Sequence, residues 1–284
     1  MDSRTFTIQQ IYQDRRQYRV PFYQRPYVWN RDDQWGRLWE DIRDKAEARL
    51  LGDKAVPHFM GAVVLEPQKK TGLLGVERHH IIDGQQRLTT MQYVLTALTL
   101  ALREWGQPTF QPIIEACLRN GNPETMEDRE VEAFKLWPTF RDREPYVRAM
   151  TATSLEELRE RFPASFTQSG NLRKIGVDHP PALEAIVFFR GAMVEWAKEH
   201  KDQAIEAIAM ALATATLTDL SIVCISLGEE DDAQGIFETL NGHGAELHAT
   251  DLIRNFIFMR AGTNADDLYA NLWCQFESPL WSES

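Results

Sequence analysis

The sequence predicts an α+β fold: a small mixed sheet with strands from both ends of the chain, a large helical insertion between them and a helical C-terminal part. Three observations predict it. Apolar runs of strand length stand at residues 59–65 and 80–82 near one end and at 221–227 near the other. Between about residue 110 and residue 218 the apolar side chains recur at helical spacing. At residues 81–90 a strand pattern passes into a helix pattern through one glycine, Gly84.

In chain order, residues 18–29 hold two prolines and five aromatics and read as extended chain and turn. Asp32 or Asp33 is placed to cap a helix carrying Trp35, Leu38, Trp39 and Ile42 on one face. Residues 59–65 form a buried strand, a turn follows at 72–75, and a second strand runs through His80, Ile81 and Ile82. Leu88, Met91, Leu95, Leu98 and Leu102 then mark a long amphipathic helix. Leu155, Leu158 and Phe162 form a stripe in the insertion, and Ile186, Phe189, Met193 and Trp196 form another. Residues 163–181 read as loop. The run 207–227 is interrupted by Asp219 and three threonines, so it reads as a buried helix followed by a strand and not as a membrane span. Helices are expected at 232–240 and 250–258, around a turn at 242–244. The expected units are a core at 1–109, the insertion at 110–218, and a closing segment at 219–284.

The chain has 284 residues, 43% hydrophobic and 26% charged, which suits a globular protein and excludes general disorder. Polar residues interrupt its start, so no leader is expected and the cytoplasm is the expected compartment. Cys117, Cys224 and Cys274 are scattered and form no Cys-x-x-Cys pair, which argues against a disulfide framework or a structural zinc site. A net charge of −11 is unfavourable for binding nucleic acid, but the charge is uneven. Residues 4–31 hold six arginines against Asp14 alone, whereas residues 221–284 hold two arginines against eleven acids. An acidic body with one basic end repels DNA except at a chosen surface. Arg4, Arg15, Arg16 and Arg19 are therefore candidates for general backbone attraction.

The strongest candidate site is the segment 81–90, IIDGQQRLTT. Backbone N–H groups at a helix start are unpaired and favour phosphate. Arg87 adds a planar, permanent cation. Asp83 could hold a magnesium ion or orient a water, and the amides of Gln85 and Gln86 could position nucleophile or leaving oxygens. Gly84 permits the turn, and Thr89 and Thr90 offer hydroxyls. The plain structural reading of the same residues makes Asp83 an N-cap, the glutamines surface, and Arg87 an ion-pair partner. No Gly-x-x-x-x-Gly-Lys-Ser/Thr loop is present, so any phosphate cradle is of another design.

Five blocks occur in order: VPFYQRPYVW at 20–29, HFMGAVVL at 58–65, IDGQQRLTT at 82–90, FETLNGHGAEL at 237–247 and TDLIRN at 250–255. Together they resemble the N-terminal domain of the GmrSD and SspE family of phage-defence restriction proteins, across about residues 6–260 and weakly through the helical middle. The resemblance implies a ParB/sulfiredoxin-like core and Mg²⁺-dependent hydrolysis of a nucleoside triphosphate, GTPase-like or broad, at Asp83, Gln85, Gln86 and Arg87. It implies that Pro21, Tyr23, Gln24 and Arg25 help to read modified double-stranded DNA, with phosphorothioate favoured and a glucosylated base the other option. The residues allow this, since an apolar lip of Pro21, Tyr23 and Tyr27 beside Arg25 suits a polarizable sulfur-bearing phosphate. Asn241 is implied in a second wall of the nucleotide site. A C-terminal His-Me finger nuclease domain is the implied partner, and Trp273, Phe276 and Trp281 suggest a chain cut inside a larger protein. His179 stands in an Asp-His-Pro-Pro run that only superficially resembles a nuclease motif, and no nuclease activity is expected of this chain. A second copy of the chain is a further possible partner, and none is expected in a membrane. Competing readings are a non-hydrolysing ParB-like nucleotide switch, a scaffold domain, and a sulfiredoxin-like oxidoreductase. The last lacks the cysteine that its phosphate loop requires.

Overall fold

A computed structural model describes residues 1–22, 24–53, 56–70, 72–174, 176 and 178–228. It also describes short stretches at 230–233, 235–236, 239, 257–258 and 268–273. The strands are β1 (Asp2–Thr7), β2 (Arg16–Arg19), β3 (His58–Pro67), β4 (Glu77–Asp83), β5 (Leu136–Trp137) and β6 (Leu220–Ser226). They form one mixed sheet in the order β1-β6-β3-β4-β2-β5. The β1–β6 and β3–β4 pairs are antiparallel, and the β6–β3, β4–β2 and β2–β5 pairs are parallel. The α+β expectation holds, with strands from both ends of the chain. The insertion is not purely helical, because its β5 pairs with β2 and extends the sheet.

Helices cover one face. They are α1 (Ile8–Gln13), α2 (Gly36–Leu50), α3 (Gln85–Glu104), α4 (Gln111–Leu118), α5 (Arg129–Glu132), α6 (Phe140–Met150), α7 (Leu155–Arg161), α8 (Pro181–Glu199) and α9 (Ile205–Leu217). α3 lies along α8, and α2 lies along α9. Arg49 of α2 grips the buried Asp219 just before β6 with two hydrogen bonds, of 2.9 and 2.5 Å. The expected cap at Asp32 or Asp33 is instead Asn30, whose side chain accepts from both of their N–H groups. A π-helical turn, Arg31–Trp35, then leads into α2.

α3 is not amphipathic as its leucines suggest. Its residues 85–102 are buried all round except Arg87. Thr96 and Thr99 enter the core because their hydroxyls donate to the carbonyls of Gln92 and Leu95, each at 2.9 Å, so no buried donor is lost. Successive strand residues point to opposite faces. Val63, Leu65 and Ile81 join the main core under the helices, whereas Val64 and Ile82 join a small second cluster with Leu227. The expected helix and strand over 207–227 are α9 and β6. No helix among the described residues is long and apolar enough to cross a membrane. The helices expected at 232–240 and 250–258 lie mostly outside the described residues.

Candidate functional site: the turn between β4 and α3

β4 ends at Asp83, and Gly84 turns the chain with a left-handed φ of 91° into α3. Only glycine fits there. A Cβ would stand 2.5 Å from the Val63 methyl carbon of the neighbouring strand. Among the described residues no side chain caps this end of α3, and its first turn carries no acid. Its leading N–H groups therefore lack helical partners. Asp83 and Arg87 stand beside them, each about one-third exposed, with the guanidinium 3.8 Å from the carboxylate. Arg87 also donates to the Ala62 carbonyl, and its guanidinium lies against Gly61, where a Cβ would be 3.2 Å from Nε. That contact falls where β3 loses register with β6, between Phe59 and Ala62.

The turn is locked to residues 24–29 by side-chain amides. Gln24 donates to the carbonyls of Ile81 and Ile82 at the end of β4. Gln85 donates to the Arg25 carbonyl at 2.8 Å. Gln86 accepts from Val28 N–H at 2.9 Å and Trp29 N–H at 3.3 Å, and donates to the Pro26 carbonyl at 3.2 Å. A hydroxyl chain runs beneath. Trp35 Nε1 donates to the Tyr27 hydroxyl at 2.8 Å, which meets Thr90 Oγ1 at 2.6 Å, and Thr90 donates to the Gln86 carbonyl at 2.7 Å. Because Thr90 spends its one proton on that carbonyl, Tyr27 is the donor to Thr90. Burial raises the Tyr27 phenol well above its usual range, against the pull of Thr90 and Trp35, so it keeps that proton.

Several expected roles change with this geometry. Gln86 has both ends of its amide engaged and Gln85 is buried with its Nε2 engaged, so they hold the turn in place and do not stand open to a substrate. Thr89 and Thr90 are buried, so they present no hydroxyls to phosphate in this arrangement. Pro21 and Gln24 are buried as well, and Gln24 is a clamp on β4 and not a surface reader. Tyr27 is core and not part of an apolar lip. Among the described residues of that block Arg25 and Val28 are exposed, and Arg25 stands above the turn through its carbonyl. Tyr23 and Asn241 lie outside the described residues.

The basic N-terminal stretch is dispersed. Arg4 pairs with Asp2, Arg15 with Thr125, and Arg16 with Glu77 at 3.5 Å. His179 meets the Arg173 carbonyl at 2.7 Å, and no group of three potential metal ligands occurs among the described residues. Burial pushes the Cys117 thiol up to about 11 and the Cys224 thiol up to about 12, which leaves neither as a thiolate at neutral pH. Trp35, Gly61 and Val63 also shape the site, although the sequence singles out none of them as a site residue; Gly61 and Val63 fall within the block 58–65. The glycine inside an apolar strand is the local hint.

The two blocks that meet at this turn, residues 20–29 and 82–90, both fall within the stretch that the family comparison matches. No curated protein matches the chain. A family model described as the GmrSD restriction endonuclease, N-terminal domain, matches residues 8–258. That span takes in five of the six strands whole and the entire interlock, so the chain belongs to the GmrSD restriction endonuclease N-terminal domain family and has its role in a restriction system.

Proposed function

We propose that the chain hydrolyses a nucleoside triphosphate at the β4–α3 turn and that contact with modified duplex DNA changes this turnover. A phosphorothioate is the favoured mark and a glucosylated base the second. The observation that carries the reading is the uncapped start of α3 beside the partly exposed pair Asp83 and Arg87. N–H groups at a helix start and a guanidinium suit a polyphosphate chain. Ala62 engages one of the five guanidinium donors of Arg87, which leaves others able to meet phosphate. Phosphoryl transfer asks of a protein mostly positioning and charge neutralisation. Asp83 orients the attacking water, and Gln24, Gln85 and Gln86 keep turn and segment in register. Mg²⁺ commonly binds through one or two carboxylates plus substrate phosphates, a set that Asp83 and a triphosphate fit. When bound it supplies further charge neutralisation.

Modified DNA met at Arg25 is one hydrogen bond from the turn, because Gln85 holds the Arg25 carbonyl. This is the proposed route from sensing to hydrolysis, with a C-terminal His-Me finger nuclease domain as the recipient. One observation favours a second reading, a non-hydrolysing nucleotide switch: the amide of Gln86 is fully engaged and leaves Asp83 as the main group to orient water.

Phosphate release from a panel of triphosphates, with and without phosphorothioate DNA, separates the two readings. Turnover is expected, with Asp83→Ala and Arg87→Ala each losing about 10²–10³ in rate while retaining the parent's circular dichroism. Nucleotide binding without release supports the switch. Full turnover in both folded variants removes the turn from the chemistry.

A further inference from the structure

The end of β4 away from Asp83 carries a separate feature. A cavity of about 210 Å³ opens there, lined by Arg19, Lys69, Lys70, Arg78 and His80 together with Glu127. The register explains how residues from three strands or their ends gather. Arg19 of β2 stands beside His80 of β4, and His80 stands beside Glu66 of β3, on the face that the main helices leave uncovered. Four cations meet one carboxylate in this lining, although the whole chain has a net charge of −11. Arg78 is held at the mouth by Glu127 and Glu132. The Lys70 ammonium donates to the Leu73 and Gly75 carbonyls, which fixes the hairpin tip.

Beyond the cavity, Leu73 is 98% exposed and Leu74 is 53% exposed. A single exposed leucine is ordinary, whereas a pair at a hairpin tip beside two lysines and a basic cavity presents apolar and cationic surface together. Duplex DNA matches it in both respects, with phosphates for the cations and the apolar sugar edges of a groove for the leucines. We infer that the β3–β4 hairpin docks the phosphate backbone of duplex DNA in this cleft and presses Leu73 and Leu74 against a groove wall. The inference rests on the reading of DNA as the partner. Along β4 the lining residues Arg78 and His80 stand five and three residue steps from Asp83, about 17 and 10 Å, and the odd spacing turns them to the opposite face of the sheet. The docking cleft is therefore distinct from the nucleotide turn, and because it meets only the DNA backbone it fixes position and carries no information about the mark.

The test uses the full chain and an unmodified duplex oligonucleotide, titrated at several salt concentrations. The variant Lys69→Ser, which leaves the tip-holding Lys70 in place, should flatten the slope of log affinity against log salt by about 0.9, the share of one phosphate that is no longer neutralised. The double variant Leu73→Ser with Leu74→Ser should weaken binding severalfold with the slope unchanged. Both act on exposed residues, and circular dichroism checks the fold. A parent slope in the lysine variant, or parent affinity in the leucine variant, overturns the assignment. If the parent chain itself has no affinity for duplex DNA, the DNA-partner reading falls and this one falls with it. Binding by the parent with both variants unaltered sinks the cleft alone.

Discussion

Gln86 holds three backbone groups that lie 57 to 60 residues before it in the chain: the N–H groups of Val28 and Trp29 and the carbonyl of Pro26. An amide so placed acts on the site through geometry alone. Each buried backbone group left unpaired costs about 1–3 kcal/mol. Gln86→Ala is therefore expected to lower the melting temperature and to reduce triphosphate turnover together. Gln86→Glu keeps an acceptor for Val28 and Trp29 but sets a buried carboxylate oxygen against the Pro26 carbonyl, so it should recover part of the lost melting temperature only at a pH low enough to protonate it, when the carboxyl donates to Pro26. Thermal melts paired with phosphate release make the comparison, and equal damage in the two variants at that pH would argue against the positioning role. None of this is legible locally. The strand, glycine and helix pattern at 81–90 points to the turn, and Asp83 and Arg87 stand open to it. A glutamine in the first turn of a helix, however, carries no mark of whether its amide meets water or a distant backbone.

At the level of elements, legibility follows burial. β3, β4, β6, α7, α8 and α9 have apolar patterns because each turns one face or more to the core. β1 has none, since its first four residues are exposed and its pairing with β6 uses backbone groups that any sequence supplies. β5 is two residues long, too short for any period. The sequence misplaces the cap before α2 because both Asp32 and Asp33 are good cap residues, and Asn30 serves both of their N–H groups at 3.0 and 3.2 Å. That cap admits the π-helical turn that seats Trp35 under Tyr27. Asn30→Ala should cost about 1 kcal/mol, read as a lower denaturant midpoint at unchanged slope. Loss of the Trp35 environment by fluorescence should accompany it. A midpoint equal to the parent's would mean that the turn is set by Trp35 packing and not by the cap.

Across the whole molecule, Lys135 ties the insertion to the N-terminal segment by donating to the Asp14 carbonyl at 2.5 Å from an almost fully buried position. Burial pushes its ammonium down from the usual 10.5 to about 8, against the opposing influence of Cys117 and Asp14. A lowered folded value means that the unfolded chain holds this proton over a wider range, so its contribution raises stability as pH climbs from about 8 towards 10. Lys135→Met should remove that rise, as unfolding midpoints at pH 8 and pH 10 would measure, and an identical pH profile in parent and variant would refute it. The sheet order has a different kind of consequence. β6 lies between β1 and β3 but is the last of the six strands among the described residues, and 152 residues lie between Pro67 at the end of β3 and Leu220 at the start of β6. At about 5–20 residues per second on a ribosome, roughly 8–30 s pass between the two. Throughout that interval β1 and β3 have been made but have no neighbour on the sides that β6 will fill. Charges and bulges discourage a strand edge from recruiting another chain. Asp2 and Arg4 of β1, and the break in β3 between Phe59 and Ala62, sit on these two waiting edges. Side chains with little to do in the finished sheet thus guard the nascent one.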